Sequence, residues 1–541
     1  MKLLSVDAMR EVERQADAAG LSYAEMMQRA GQGLAGLVEE VYGMLEDRVA
    51  LGLVGAGNNG GDVLVALAAL AEAGWDTRAY LSKPRPEGDG LVKNARDAGC
   101  QILLMNEDAD FKLLDDGLER SSVLLDGLLG TGFEMPLKPD LAGLMQHITN
   151  RSLIPHVVAV DCPSGVNCET GAAAAEVIPA EFTVCMGAVK RGLLQFPAFG
   201  LAGELEVVPL GFTDELPAWK EARDVVVTES LAGQWLPDRP LDAHKGSFGS
   251  TVLAAGSVNF TGAALLAGRA ALRSGVGLVK MAVPGSLYPV LAGHLPEATW
   301  VLLPHEMGVI SHGAVEVVFK ELKGAESLLL GCGLGREETT AEFLKFLLIH
   351  KVNRTQKAAI GFVSPRREET PHSEPSLPPL VLDADGLRLL AKIEDWHQLL
   401  PQGTVLTPHP GELAELAGVS VEEVQRERIE IAKRLAKAWK VVLVLKGALT
   451  VIADISGNVR VIPVATSALA HAGTGDVLAG LIAGLLAQGV AAFDAASLGC
   501  WIHAQAGLIA EEWAGHPAAV IAGDVVDAIG EVMQQLASTC N

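Results

Sequence analysis

Residues 472–480 read Ala-Gly-Thr-Gly-Asp-Val-Leu-Ala-Gly, and an apolar run continues to Ala487. The run predicts a helix, and the glycines before it predict a tight turn leading in. Gly473, Thr474 and Gly475 can turn their backbone N–H groups toward one point, where the helix N-terminus adds partial positive charge. Phosphate oxygens suit such a point. Asp476 then falls in the first turn, where a carboxylate can take a proton from a hydroxyl. A glycine-rich anion hole with an adjacent Asp is a phosphoryl-transfer device. Read alone, the same residues also make a plain strand-to-helix turn with a capping Asp.

From about residue 241 to this stretch, strands and helices alternate. Strands are expected at Thr251–Ala255, Leu278–Val283, Ser327–Leu330, Val405–Leu406 and Val441–Lys446, and a helix over 262–274. Thr450–Ala453 is expected to pair with Val459–Pro463 through a Gly457-Asn458 turn. Residues 364–379, rich in Pro, Glu and Arg, read as a surface loop. Polar clusters follow the apolar runs: Gly331-Cys332-Gly333-Leu334-Gly335, Asp383-Ala384-Asp385-Gly386, Thr407-Pro408-His409-Pro410-Gly411-Glu412 and Lys446-Gly447-Ala448-Leu449-Thr450. His244-Lys245-Gly246 precedes the first strand, and Gly262-Ala263-Ala264 opens the first helix. A lone His409 is a structural hydrogen-bonder or a ligand, and the prolines on both sides fix its loop. Lys446 is an ion-pair partner, a surface charge or a group for nucleotide phosphates.

The first half, to about Phe212, alternates in the same way. Residues 5–45 are helical in pattern, with Asp7 as cap candidate. Val49–Val54 is an expected strand, followed by a helix from Asp62 to Ala73. Further strands are expected at 77–81, 101–104, 122–126, 156–161 and 181–186, and helices at 88–99 and 139–149. This pattern implies a parallel, three-layer α/β sheet. Three strand ends carry polar loops: Gly55-Ala56-Gly57-Asn58-Asn59-Gly60-Gly61-Asp62, Asp126-Gly127-Leu128-Leu129-Gly130-Thr131-Gly132-Phe133, and Asp161-Cys162-Pro163-Ser164-Gly165. In an open parallel sheet such loops converge on one crevice. Asn59, Asp126 and Ser164 offer only oxygen ligands, which suits K⁺ or Mg²⁺ and not zinc.

At 541 residues the chain is too long for one ordinary core. Its formal charge of −24, from 42 basic and 66 acidic residues, argues against nucleic acid or an anionic membrane as partner. The stretch Val477–Ala487 is too short to span a bilayer, and the N-terminus shows no secretory signal. Seven cysteines, none in a Cys-x-x-Cys pair, read as reduced thiols of a cytoplasmic protein and suggest no zinc site. A seam rich in Pro and mixed charge lies at about 212–240, between two halves that share no motif.

The Asn-Asn-Gly-Gly-Asp, Asp-Gly-Leu-Leu-Gly-Thr-Gly and Asp-x-Pro-Ser-Gly motifs, in that order and with Lys190 and Gly192 following, resemble the NAD(P)H-hydrate epimerase family. The motifs of the second half, as a set, resemble the ADP-dependent (S)-NAD(P)H-hydrate dehydratase family. Sugar kinases share the Gly-x-Gly-Asp ending but usually lack Thr-Pro-His-Pro-Gly-Glu. The resemblance implies two unlike α/β/α domains, a Rossmann-like one over 1–215 and a ribokinase-like one over 225–541. It implies that Asn58, Asn59, Gly60, Gly61, Asp62, Gly130, Thr131, Gly132, Phe133, Glu134, Met135 and Pro136 line one substrate site. There Asp161 moves the proton, and Asn59, Asp126 and Ser164 hold K⁺. In the second domain it implies substrate contacts from Ala263, Ala264, Gly333, His409 and Asp476, with Asp476 catalytic. Lys446, Gly447, Ala448, Leu449, Thr450, Gly473, Thr474 and Gly475 would hold the nucleotide. ADP is the implied co-substrate and Mg²⁺ the implied metal, and a homo-oligomer is expected.

Four departures from the family pattern stand out, one of them the less typical Ser467-Ala468-Leu469-Ala470-His471 before the anion hole. Val63 replaces a glycine, and its side chain either narrows the pocket or packs against the sheet. Cys332 stands where the family usually has Pro, and Gly386 where it often has Ala. Two other readings compete: a ribokinase-superfamily kinase of a small alcohol, and a first half that binds ligand without catalysis.

Overall fold

Val49–Val54, Val123–Gly127 and His156–Val160 are apolar at almost every position, so a sheet built from them must be covered on both faces. The computed structural model, which describes residues 1–349 and 377–539, shows that sheet in the first of two units, Met1–Val226 and Val227–Asn541. The expected surface loop at 364–379 lies outside the described residues as far as 376.

In the first unit seven parallel strands run in the order Gln101–Leu104, Asp76–Leu81, Val49–Val54, Val123–Gly127, His156–Val160, Phe182–Met186 and Glu204–Val208. Successive side chains alternate between faces. Leu51, Leu53, Tyr80 and Leu124 meet Leu114, Leu118, Leu144 and Met145 on one side. Ala50, Val54, Val123 and Leu125 meet Val12, Leu34, Val63 and Leu67 on the other. The chain order reverses between Val49–Val54 and Val123–Gly127, and a doubly wound sheet opens a crevice at such a switch.

Several boundaries differ from the sequence reading. The helix after the first strand begins at Asn58, not Asp62, so the Asn-Asn-Gly-Gly loop is its first turn. Residues 5–45 form two helices, Val6–Ala18 and Tyr23–Tyr42, and the cap is Ser5, whose Oγ accepts from the Ala8 N–H at 3.1 Å. Asp7 lies in the first turn. The helix Lys112–Arg120 and the edge strand Glu204–Val208 were not legible as elements.

In the second unit the strands run Val459–Val461, Val451–Ala453, Val442–Leu445, Val405–Leu406, Leu380–Leu382, Ser327–Leu330, Ser250–Ala254, Leu278–Pro284 and Thr299–Leu303. Pairing is parallel except where Val451–Ala453 meets its two neighbours, so the expected hairpin forms. The run after Asp476 is the helix Thr474–Ala487, apolar all round and buried from Val477 onward. Two glycines let it approach the helix Thr261–Arg273. A Cβ at Gly480 would sit 2.1 Å from the Ala267 carbonyl oxygen, and one at Gly484 would sit 2.0 Å from Ser274 Oγ. No helix among the described residues is long and apolar enough to cross a membrane.

Candidate active sites

At the switch point of the first unit lies a cavity of about 960 Å³. Asn58, Asn59, Asp62, the run from Gly130 to Glu134, Pro136 and Asp161 line it. Gly60, Gly61 and Met135 do not. A Cβ at Gly60 would meet the Gly55 carbonyl oxygen at 2.1 Å, and one at Gly61 would meet Met27 Sδ at 2.7 Å, so these glycines permit close packing behind the wall. Val63 is fully buried and lies against two strand glycines. Its Cγ atoms fall 2.5 Å and 2.3 Å from where Cβ atoms of Gly52 and Gly127 would be. Of its two sequence readings, packing against the sheet is the one that holds, and Val63 does not line the cavity.

Asp161 carries the left-handed φ of +66° at the end of its strand, a strained conformation for a residue with a side chain. Its Oδ1 accepts from the Met186 N–H at 2.9 Å and from Lys190 Nζ. Lys190 is 1% exposed and also donates to the Met186 carbonyl at 3.0 Å. Burial alone would lower the Lys190 pKa, but the Asp161 carboxylate outweighs it and holds the ammonium above its ordinary value. Asp62 is raised well above the carboxylate range, first by burial and then by the Asp161 charge. Glu13, on the first helix, also lines the cavity and is raised by burial. Lys190 was noted in the sequence without a role, and Glu13 was missed because nothing local marks it.

Asp126 and Ser164 are fully buried together. Ser164 Oγ and N–H donate to the two Asp126 oxygens at 2.6 and 2.8 Å. Asn59 Nδ2 donates to the carbonyls of Leu129 and Val160 at 2.9 and 2.6 Å, which brings the three residues to one place. The donors to Asp126 are neutral hydroxyl and N–H groups. A buried carboxylate so held, beside clustered carbonyl oxygens, fits a hard monovalent cation in its donor chemistry.

In the second unit, Asp383 ends its strand 1% exposed. Its Oδ1 accepts from Lys446 Nζ at 2.5 Å and from Thr407 Oγ1 at 2.8 Å. Gly475 lies over this pair, with its Cβ position 3.4 Å from Lys446 Nζ and 3.7 Å from Asp383 Oδ2. Gly473 caps the long helix with a left-handed φ of +95°. Thr474 Oγ1 donates to the carbonyls of Leu469 and His471, each at 2.9 Å, so this hydroxyl fixes the turn. Asp476 is pushed up to about 6, by burial first and then by the Asp383 charge. Cys332 Sγ and one oxygen each of Asp383 and Asp476 lie within 4.8 Å of one another.

The remaining expected contacts divide. Gly333 faces Ala263, whose Cβ lies 2.8 Å from the Gly333 Cβ position, whereas Ala264 has no exposed surface and belongs to the core. His409 is an N-cap: its Nδ1 accepts from the N–H groups of Gly411 and Glu412 at 3.0 and 3.3 Å, and its half-exposed ring pairs with Glu412. His244 caps its own short turn in the same way. The Lys446–Thr450 loop turns on Gly447 and Leu449, at φ +130° and +56°, and Leu449 points its side chain inward. Arg428 braces the loop by donating to the Leu445 and Lys446 carbonyls at 3.1 and 3.3 Å. His503, absent from the sequence reading, hydrogen-bonds the Thr474 carbonyl at 2.8 Å, and burial pushes its pKa down to about 4.

A family model described as NAD(P)H-hydrate dehydratase matches residues 251–360 and 367–529. One described as YjeF-related protein N-terminus matches residues 23–192. The bifunctional NAD(P)H-hydrate repair enzyme of Moorella thermoacetica is 34% identical over 522 residues, 94% of this chain and 92% of the relative. That of Escherichia coli is 34% identical over 513 residues, 92% of this chain and 88% of the relative. A crystal structure of the ADP/ATP-dependent NAD(P)H-hydrate dehydratase from Bacillus subtilis, co-crystallized with ATP/Mg2+, is 30% identical, with a TM-score of 0.45, and covers 57% of this chain and 98% of its own. With two unlike α/β units, two separate sites and identity over nearly the whole length of these relatives, the chain belongs to the bifunctional NAD(P)H-hydrate repair enzyme family.

Proposed function

We propose that the chain repairs hydrated NADH and NADPH, with an epimerase in residues 1–215 and a nucleotide-driven dehydratase in residues 225–541. The observation that carries this reading is Asp476, half-buried at the N-terminus of the helix Thr474–Ala487 near Lys446 and Asp383, with its pKa raised to about 6. A carboxylate there is a base of suitable strength for a hydroxyl, next to donors for a phosphoryl group. ADP is the proposed co-substrate, held by Lys446 to Thr450 and by Gly473 to Gly475. Mg²⁺ would supply charge neutralisation at the phosphates. Gly333, Ala263 and His409 are assigned to the substrate side, and Ala264, a core residue, is not.

In the dehydratase, Asp476 takes the proton of the substrate hydroxyl. The hydroxyl oxygen bonds to the terminal phosphorus, and the bond to the leaving phosphate oxygen breaks, giving AMP. Hydroxide leaves poorly, but phosphate leaves well. The ring nitrogen lone pair expels the phosphate, and loss of the neighbouring carbon's proton restores the reduced nicotinamide. In the epimerase, the same nitrogen expels the hydroxyl as water once it is protonated, and water returns on the other face. Asp161, fixed by Lys190 and the Met186 N–H, handles the proton within the cavity. Asn59, Asp126 and Ser164 would hold K⁺ and so fix the loop that carries Gly130. The chain works in the cytoplasm as a homo-oligomer on these small molecules, without nucleic acid or membrane.

The test is Asp476→Asn. It should lower the dehydration rate by about 10²–10⁴-fold while epimerisation, followed by the ratio of the two hydrate forms, is unchanged. A variant with full dehydratase activity would overturn the reading.

A further inference from the structure

Around Asp476 the second unit gathers a thiol and two carboxylates, of which the proposed phosphoryl transfer uses only Asp476 as its base. Cys332 Sγ and one oxygen each of Asp383 and Asp476 lie within 4.8 Å of one another. Cys332 is fully buried, and Asp383 is 1% exposed. Lys446 and Thr407 both bond Asp383 through Oδ1. The other oxygen, Oδ2, lies 3.7 Å from the Gly475 Cβ position, at the helix end that carries Asp476.

We propose that Cys332, Asp383 and Asp476 form a site for a thiophilic divalent cation of the zinc class, distinct from the Mg²⁺ that accompanies nucleotide phosphates. Three protein ligands with a fourth position open is a common arrangement for zinc. A sulfur ligand selects against Mg²⁺ and Ca²⁺, which take oxygen shells. The charges also balance. With the thiol proton released to water as the metal–sulfur bond forms, three anions and the Lys446 ammonium leave a surplus of two negative charges for a dication. Bond lengths of about 2.3 Å to sulfur and about 2.0–2.2 Å to oxygen require the most distant pair to close by about 1 Å. Scattered over 332, 383 and 476, the ligands make no sequence motif.

Cation binding would occupy the Asp476 carboxylate. Zinc would therefore inhibit dehydration and leave epimerisation untouched, a consequence that rests on the proposed role of Asp476. Direct binding does not rest on it. The full-length, metal-free protein is titrated with Co²⁺ in the absence of nucleotide. One equivalent should bind with thiolate-to-cobalt charge-transfer absorption and the intense ligand-field bands of four-coordinate cobalt, and Zn²⁺ should displace it. Cys332→Ser should abolish the charge-transfer band and weaken binding at least tenfold. Asp476→Asn should weaken binding and keep the band. Far-ultraviolet circular dichroism checks that the variants are folded, and one folded variant suffices. Absence of stoichiometric cobalt binding, or an unchanged charge-transfer band in Cys332→Ser, would overturn the proposal.

Discussion

Asp476 and the glycines before it can be singled out in the sequence because the proposed anion hole is contiguous there. The partners that tune it were not. Lys446 and Asp383 are 63 positions apart, and Asp161 and Lys190 are 29 apart, so each pair exists only once the strand order is known. Two predictions belong at this scale. Asp476 must be ionised to act as base, so the dehydration rate should fall as pH drops below about 6. A rate that is flat down to pH 5 would contradict that role. Lys190→Met leaves the Asp161 carboxylate buried without its cation. It should cost about 3–5 kcal/mol of stability, read by denaturant unfolding, and abolish epimerisation.

The elements most readily read were the long apolar strands and the apolar helix after Asp476, where burial leaves little choice of residue. Lys112–Arg120 and Glu204–Val208 escaped notice because charged residues interrupt their apolar positions, and position at the sheet edge supplies the rest. Val63 shows how an element absorbs a departure: Gly52 and Gly127 leave room for its methyl groups. Val63→Gly should lower stability by about 3 kcal/mol through cavity and helix-propensity terms, with no large gain in epimerase rate. A large gain would mean that the native valine impairs the pocket. His503 ties the helix Ala492–Ala514 to the first turn of Thr474–Ala487. Its folded pKa, about 4, lies below the unfolded 6.5, so its contribution is present above pH 6.5 and is lost as pH falls toward 4. Unfolding free energy should drop by about 2 kcal/mol more between pH 7 and pH 5 in the wild type than in His503→Gln.

At the scale of the molecule, the restart of strand–helix alternation after a Pro-rich seam announced two units, and the division at Val226 and Val227 falls close to that seam. The union of the two is chemically sensible. A dehydratase that accepts one hydrate epimer leaves the other behind, and an epimerase on the same chain supplies it. The most direct test is recovery of reduced-nicotinamide absorbance from mixed R and S NADH hydrate with ADP, Mg²⁺ and K⁺. The account predicts complete conversion, faster than spontaneous epimerisation allows. Conversion that stalls near the S fraction would contradict an active first unit, and no conversion would contradict the repair function altogether.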